Sequence, residues 1–495
     1  MAIIPFGEWR PDLTDYQAET SRLILNVAPH ADGYGPLKSY QPYTNALPGR
    51  CKGSFLAVTT TNIILFAAAE LMEGAPAVAV TRLYKMDNGT LAWVDVTRTG
   101  AAYKALPPNA NWTFCQYNKQ IVACNANEPP QVITTTGSNF ADLAGLPPHA
   151  AYCTIVSSQL VLSGLIDEPQ RIQWSAKDDI TSWELALNGA DFNDFPDGGR
   201  VLGVAGGEFG VVFQDSAIRR MTFLPGSDLI FQFDRIAEGE GLRAPSSVVS
   251  AGARIFFLGT SGFQMIMGGA APVNISKEKF SRFFERDWDA AELDLTIGAN
   301  EPNSTRVWFF YKSVTGVTGQ FNRAIVYDWV LERPAYVDGY VGEYAAMMAQ
   351  PGVTLEGLPA IGYTNIDTMT ISLDAFQRQT GAQLGMFDTH HKLGFMYGPN
   401  LQGTMASPEQ AFDDRYFISQ VRPCTDSPEV TSVITHRNRI EDDPVTTAPS
   451  ALNPKGFCPH RIDTRMARFT SVIPYGAIWS FDAGVEPLLV KTGKL

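Results

Sequence analysis

The sequence predicts an all-β protein: a β-propeller of about six to eight blades, with an extended N-terminal arm and a C-terminal β element. Three observations carry that expectation. Short apolar or alternating runs, cut by Gly, Pro, Asn and Asp, fill the middle of the chain. They group in sets of three or four that recur about every 40 to 50 residues, the period of propeller blades. Aromatic residues make up 11% of the chain, which suits pleated sheets. A double β-sandwich makes similar strands but has no use for so many sets.

The elements follow in order. Residues 1–50 read as an arm, because Trp9, Pro11, Pro29, Pro36, Pro42 and Pro48 are spread through extended text. Residues 51–385 read as the propeller. Its first set covers residues 54–59, 62–68, 78–86 and 91–97. The last two members are joined at Asp87-Asn88-Gly89, where Asn and Gly tolerate positive φ. Later sets cover 112–136, 152–175, 201–236, 246–267 and 295–330, and a weaker one lies between Tyr344 and Phe376. One interruption is helical: Ser276 is placed to cap a segment whose Phe280, Phe283 and Phe284 share a face and pack on the sheet edge. Residues 386–495 read as a C-terminal β element that closes or decorates the propeller.

The charge narrows the function. Lys and Arg number 38 against 51 Asp and Glu, a net −13, the opposite of a protein that grips nucleic acid by its phosphates. The N-terminus lacks a basic region followed by an apolar core, so no secretory signal is expected. The best apolar run, residues 63–71, is too short to span a bilayer. The six cysteines contain no CxxC pair and read as reduced core thiols.

Chemistry-bearing motifs fail on spacing. The six histidines, adjacent His390 and His391 among them, form no zinc signature. The glycine-rich residues 203–210 lack the Lys-Ser/Thr of a phosphate loop and read as a tight turn. Asp191, Asn193, Asp194 and Asp197 begin like a calcium loop, but Phe195 interrupts the ligands and no Glu closes it. Residues 175–183, from Ser175 to Trp183, approach the Asp box of sialidase-type propellers, with Lys177 in place of its Asp. Asp287, Asp289, Glu292 and Asp294, and likewise Glu441, Asp442 and Asp443, read as solvated faces or as parts of a channel wall. No catalytic, cofactor-binding or metal site is expected, and no cofactor.

Several stretches, taken in chain order, carry a resemblance. They are Pro5 to Leu13, Leu25 to Pro29, Gly33 to Leu37, Arg171 to Ser175 with Asp179 and Trp183, Gly259 to Phe263, Gly456 to Arg461, Arg465 to Phe469, and Ala477 to Trp479. Together they resemble the tail nozzle (tail tubular, or tail hub) proteins of short-tailed, podovirus-like bacteriophages. The resemblance implies a structural virion protein, not an enzyme. It would be a propeller subunit of a homo-hexameric ring below the portal and head–tail adaptor protein, extending the DNA channel and anchoring tail fibre, spike or plug proteins during genome ejection. Phage DNA would pass through the lumen without specific binding, and no membrane insertion is implied. The ring would belong to the virion tail after assembly in the host bacterial cytoplasm. Trp9, Arg10, Pro11, Asp12 and Leu13 are the expected assembly interface, and deleting residues 1–30 is expected to weaken assembly more than it unfolds the propeller. The alternative is a phage glycan-binding or glycan-degrading propeller protein with a carboxylate-rich pocket.

Overall fold

The computed structural model describes residues 3–14, 20–59, 63–227, 229–352, 354–363, 369 and 381–493. Among them the architecture is β throughout, interrupted by one α-helix, Ser281–Asp287, and three short 3-10 turns.

The chain forms a β-propeller. Six blades are sheets of their own, and a further four-stranded unit completes the circle. Blade 1 holds Arg50–Val58, Ile63–Glu73, Val78–Asp87 and Ala92–Asp95; blade 2 Thr113–Tyr117, Gln120–Cys124, Gln131–Thr134 and Ala141–Asp142. Blade 3 holds Ala150–Val156, Gln159–Leu165, Arg171–Trp174 and Asp191–Asp194; blade 4 Val201–Ala205, Gly210–Gln214, Ala217–Phe223 and Phe231–Glu238. Blade 5 holds Val249–Ala251, Arg254–Gly259, Gly262–Met267 and Val273–Asn274; blade 6 Ile297–Glu301, Arg306–Tyr311, Arg323–Asp328 and Arg333–Val337. The last, blade 7, joins Tyr344–Ala349, Ala382–Phe387 and Lys392–Asn400 to a strand from the other end of the chain, Lys38–Ala46.

Each middle strand is covered by a blade on both faces, so it reads as a continuous apolar run and not as an alternation. Ile121 to Cys124, Leu160 to Leu162, Val211 to Phe213 and Ile255 to Leu258 are all buried. The cores lie between blades: Phe66 and Leu83 meet Ile121 and Ile133 across blades 1 and 2, and Val212 and Met221 meet Val161 and Ile172 across blades 4 and 3. Tyr43, Met348, Leu393 and Phe395 of blade 7 share a core with Leu65 and Tyr84 of blade 1, which closes the circle.

The other large unit is a sheet of long antiparallel strands: Gln410–Thr425, Thr431–Arg437, Cys458–Ile473 and Asp482–Gly493, with short Gly403–Ala406. The first part of the chain is sewn into it. Ile4 pairs with Val485, and Tyr34 with Asp482. Leu25 is shared between Thr404 on one side and Tyr336, in the outer strand of blade 6, on the other. Blade 6 is thereby continuous with the C-terminal sheet.

Three expectations change. The segment expected as an arm in residues 1–50 is built into several sheets, namely the large C-terminal sheet, the Glu8–Trp9 and Thr20–Ser21 pair, and blade 7, because an extended stretch still donates and accepts ladder hydrogen bonds at strand edges. Blade 7 takes in residues up to Asn400, past the expected boundary near 385, since its first hairpin is interrupted by residues 350–381. Phe376, the expected end of the weak set, lies outside the described residues. The blade 1 turn is an Asx turn: Asp87 Oδ1 accepts the Gly89 N–H at 3.0 Å and Oδ2 the Thr90 hydroxyl at 2.7 Å. Positive φ falls on Leu91 (φ 53°), not on Asn88 or Gly89.

Candidate functional site

Residues 5–13 lie in a junction between the propeller and the C-terminal sheet. Trp9 is 1% exposed. Its ring stacks on Phe280 and Tyr336, with centroids 5.6 and 5.7 Å away, and meets the edge of Phe283 at 5.2 Å. Its indole N–H donates to the Arg22 carbonyl at 3.1 Å. Buried aromatic contacts of this kind add to the burial itself. The expected helix is present, with Phe280 and Phe284 buried, but Ser276 does not cap it. Asp12 does: its carboxylate accepts the N–H groups of Arg282 and Phe283. The Ser276 hydroxyl accepts the Phe263 N–H at 3.0 Å instead.

Glu8 pairs with Arg10 at 2.5 Å and with Lys279 at 2.7 Å. Beside them opens a cleft of about 610 Å³ lined by Glu8, Arg10, Asp32, Lys279, Glu332 and Arg333, three residues of each sign. Of the expected interface residues, Trp9 and Asp12 therefore act within the chain, while Arg10, Pro11 and Leu13 remain half-exposed at the rim. No local signal in the sequence pairs position 12 with a helix at 281.

The second concavity is axial. The first strands of the blades line a cavity of about 240 Å³, with Ser54, Thr113, Tyr152, Gly203, Gly298 and Tyr344 each from a different blade. That is room for about eight waters at ~30 Å³ each. At its wall the Asn111 amide donates to the Ser246 hydroxyl and the Asp294 carbonyl, at 2.9 and 2.8 Å.

The acidic cluster beside the axis is not a solvated face. Asp294 is 5% exposed and pairs with Lys52 at 2.5 Å and Arg50 at 3.1 Å, both from blade 1. Lys312 holds Asp289 at 2.5 Å and Glu292 at 3.2 Å, and Asp287 accepts the Tyr311 hydroxyl at 2.9 Å. Glu343, also buried, accepts the Cys51 N–H from blade 1 at 3.1 Å and faces His391 Nδ1 at 2.9 Å. Burial raises the Glu343 pKa, and His391 works against that rise. The partners of Asp294 and the Cys51 partner of Glu343 are more than two hundred residues away, so sequence spacing could not find them. Glu441, Asp442 and Asp443 are exposed as expected.

The remaining motif-like segments are structural. Residues 175–183 form the turn between the third and outer strands of blade 3, with Trp183 buried and its indole N–H on the Ile180 carbonyl at 2.8 Å. Asp194 pairs with Arg171 at 2.6 Å, and Asp197 with Arg219 at 2.7 Å. Residues 206–209 make the expected tight turn. Among the described residues no group of three His, Cys, Asp or Glu side chains is arranged to hold a metal ion. Asp482 opens the last strand fully buried, its Oδ1 accepting the Gly484 N–H at 3.2 Å. Burial pushes its carboxyl up to about 8.

No family model matches the chain, and no curated protein does. Solved structures similar to it include the Neurospora crassa Pan2 WD40 domain, at 8% identity and a TM-score of 0.38, covering 72% of this chain and 94% of that one. The computationally designed Ika8 protein follows at 10% identity and 0.37, covering 73% and 99%. A functionally unknown protein from Desulfotomaculum acetoxidans DSM 771 gives 11% and 0.35, covering 59% and 87%. The strands and their pairing define the fold here without them.

Proposed function

We propose that this chain is a structural subunit of a bacteriophage tail nozzle: a stiff propeller that builds the wall of a DNA conduit as a member of a homo-hexameric ring. One observation carries the reading. Most of the stretches that resemble nozzle proteins come from the two ends of the chain, and those ends meet in one sheet, while Arg171 to Ser175 and Gly259 to Phe263 lie in blades 3 and 5. Ile4–Pro5 pairs with the last strand, a Cβ on Gly33 would lie 2.4 Å from the Asp482 carbonyl oxygen, and one on Gly403 would meet both Val27 and Trp479. The terminal part of the resemblance thus falls on a single structural junction.

The axial cavity supports the same reading. At about 240 Å³ it admits waters and small molecules, so a duplex would run between copies and not through a propeller. A ring closes when each copy meets its neighbours through two different surfaces whose rotation divides a circle. In that ring the net −13 of each copy disfavours adhesion to phosphates, so DNA slides past. Head–tail adaptor, fibre, spike or plug proteins would meet the ring at its ends, with Arg10, Pro11 and Leu13 at the exposed rim of the junction.

The test is the mass and shape of the purified full chain, by light scattering and negative-stain imaging, alone and with an adaptor protein. A six-fold ring with a central hole, free or formed on the adaptor, is the expected result. A monomer or trimer that ignores the adaptor and cleaves polysaccharide would replace this reading with the glycan-active one.

A further inference from the structure

The loop at residues 474–481, between Cys458–Ile473 and Asp482–Gly493, contains no charged residue and presents large apolar side chains to solvent. Tyr475 is 58% exposed, Ile478 86% and Phe481 43%. The loop is nonetheless held firmly. Asp426 accepts the Ser480 N–H at 2.9 Å and its hydroxyl at 2.5 Å. Asn400 accepts the Gly476 N–H at 2.9 Å and donates to the Ala477 carbonyl at 2.8 Å. Thr425 donates to the Phe481 carbonyl at 2.7 Å, and Trp479 is buried beneath. Such a knob loses little further conformational freedom on binding, which is how preorganised contacts gain affinity.

A matching groove lies on the same chain, between the rims of blades 1 and 2. It encloses about 560 Å³. Ile63, Ile64 and the exposed Val94 form its apolar surface over buried Met86 and Val96. Its charged lining residues, Lys85 and Asp87, cancel, and the Lys85 ammonium is already on the Thr135 carbonyl at 3.3 Å.

We propose that loop 474–481 of one copy docks, through Ile478, into the groove between blades 1 and 2 of a second copy. The chain itself points to a second copy as the occupant: it carries both an apolar knob and an apolar groove without net charge, and between two copies that each carry −13 such a contact adds no local like-charge repulsion. The two surfaces differ: the knob belongs to the sheet continuous with blade 6, the groove to blades 1 and 2. The contact is therefore heterologous, and each copy keeps one knob and one groove for its neighbours, ending in a ring or a fibre. This inference rests on the ring reading above and specifies its contact.

The experiment compares the wild-type full chain with Ile478→Asp, Val94→Asp and an equimolar mixture of the two variants, by sedimentation velocity across concentration and with the adaptor. The expected result is assembly of the wild type, single copies for each variant alone, and a dimer that grows no further in the mixture. Only the knob of the Val94→Asp copy and the groove of the Ile478→Asp copy remain to pair. Both positions are exposed, and melting curves verify that the variants fold. Ile478→Cys mixed with Val94→Cys and a short bismaleimide should in addition yield a covalent dimer. A wild-type ring that survives both aspartates overturns this contact and leaves the ring reading standing. A wild type that stays single with the adaptor, or stops at a two-fold dimer, overturns both.

Discussion

Asp12 accepts the main-chain N–H groups of Arg282 and Phe283, at 2.7 and 2.8 Å, and so caps from the far end of the chain a helix that has no side-chain cap of its own. The bond fixes the N-terminal segment to blade 5 and blade 6 at once, because the same helix packs Phe284 against Phe263 and Tyr311.

Removing that cap should be measurable. Asp12→Ala is expected to lower stability by about 1–2 kcal/mol, the range for lost caps, and Asp12→Asn by less. Urea unfolding reads both values. An Asp12→Ala protein with the wild-type midpoint would show that the helix ends satisfy themselves elsewhere.

Deleting residues 1–30 removes Phe6, Trp9, Ile24, Val27 and Ala28, all buried. Each large side chain among them is worth roughly 1.5–3 kcal/mol. The sum is comparable with a whole domain's stability. The C-terminal sheet should therefore lose its cooperative fold while the blades, whose closing strand Lys38–Ala46 remains, persist. Limited proteolysis should cut residues 403–493 first. This refines the expectation that such a deletion weakens assembly more than it unfolds the propeller, by naming the C-terminal sheet as the part that is lost. A truncated chain that melts like the full one would overturn it.

Asp294→Ala would leave Lys52 and Arg50 facing each other without their carboxylate, 8% and 24% exposed in their side chains. Breaking a buried pair in this way costs about 3–5 kcal/mol. Adding Lys52→Met should recover part of the loss, because the unpaired ammonium goes with it. Thermal melts of the single and double variants decide the matter, and a single variant as stable as wild type would exclude the pairing.

Asp482 sets a pH dependence. Its folded-state value near 8 lies above the ordinary 3.8, so the folded chain holds a proton that the unfolded chain has released. Its contribution is full below about pH 4 and is lost as pH rises to about 8, at up to ~1.4 kcal/mol per unit. Above that it is flat. Asp482→Asn removes the slope and should raise the urea midpoint at pH 8 more than at pH 5. Parallel pH profiles for the two proteins would show that the carboxyl ionises freely.

The blades were legible because each is local: strands such as Val201–Ala205 and Gly210–Gln214 are neighbours in sequence, separated by turn-forming glycines. Blade 7 was not, since Tyr344 pairs with Phe387 across a long insertion and Tyr40 with Met396 across most of the chain. The helix was readable from its phenylalanines, its cap was not, because Asp12 has no periodic relation to Ser281. Trp9 was singled out as an assembly-interface residue, but composition cannot tell whether such a ring packs on its own chain, as it does on Phe280 and Tyr336, or on another. The Asp294 and Glu343 pairs escaped for the same reason as blade 7: their partners meet only after the circle closes.

The pairing of Lys38–Ala46 with Lys392–Asn400 also imposes an order on biosynthesis. The closing strand leaves the ribosome before any blade exists, and its partner follows roughly 350 residues later. At about 5–20 residues per second that is a wait of roughly 20 to 70 s. Through that interval blade 1 can fold, but its face toward blade 7, with Leu65 and Tyr84, stays uncovered. The newborn chain is thus an open arc with an adhesive end, and crowding polysomes, more than heat, is the condition under which it would be lost to aggregation.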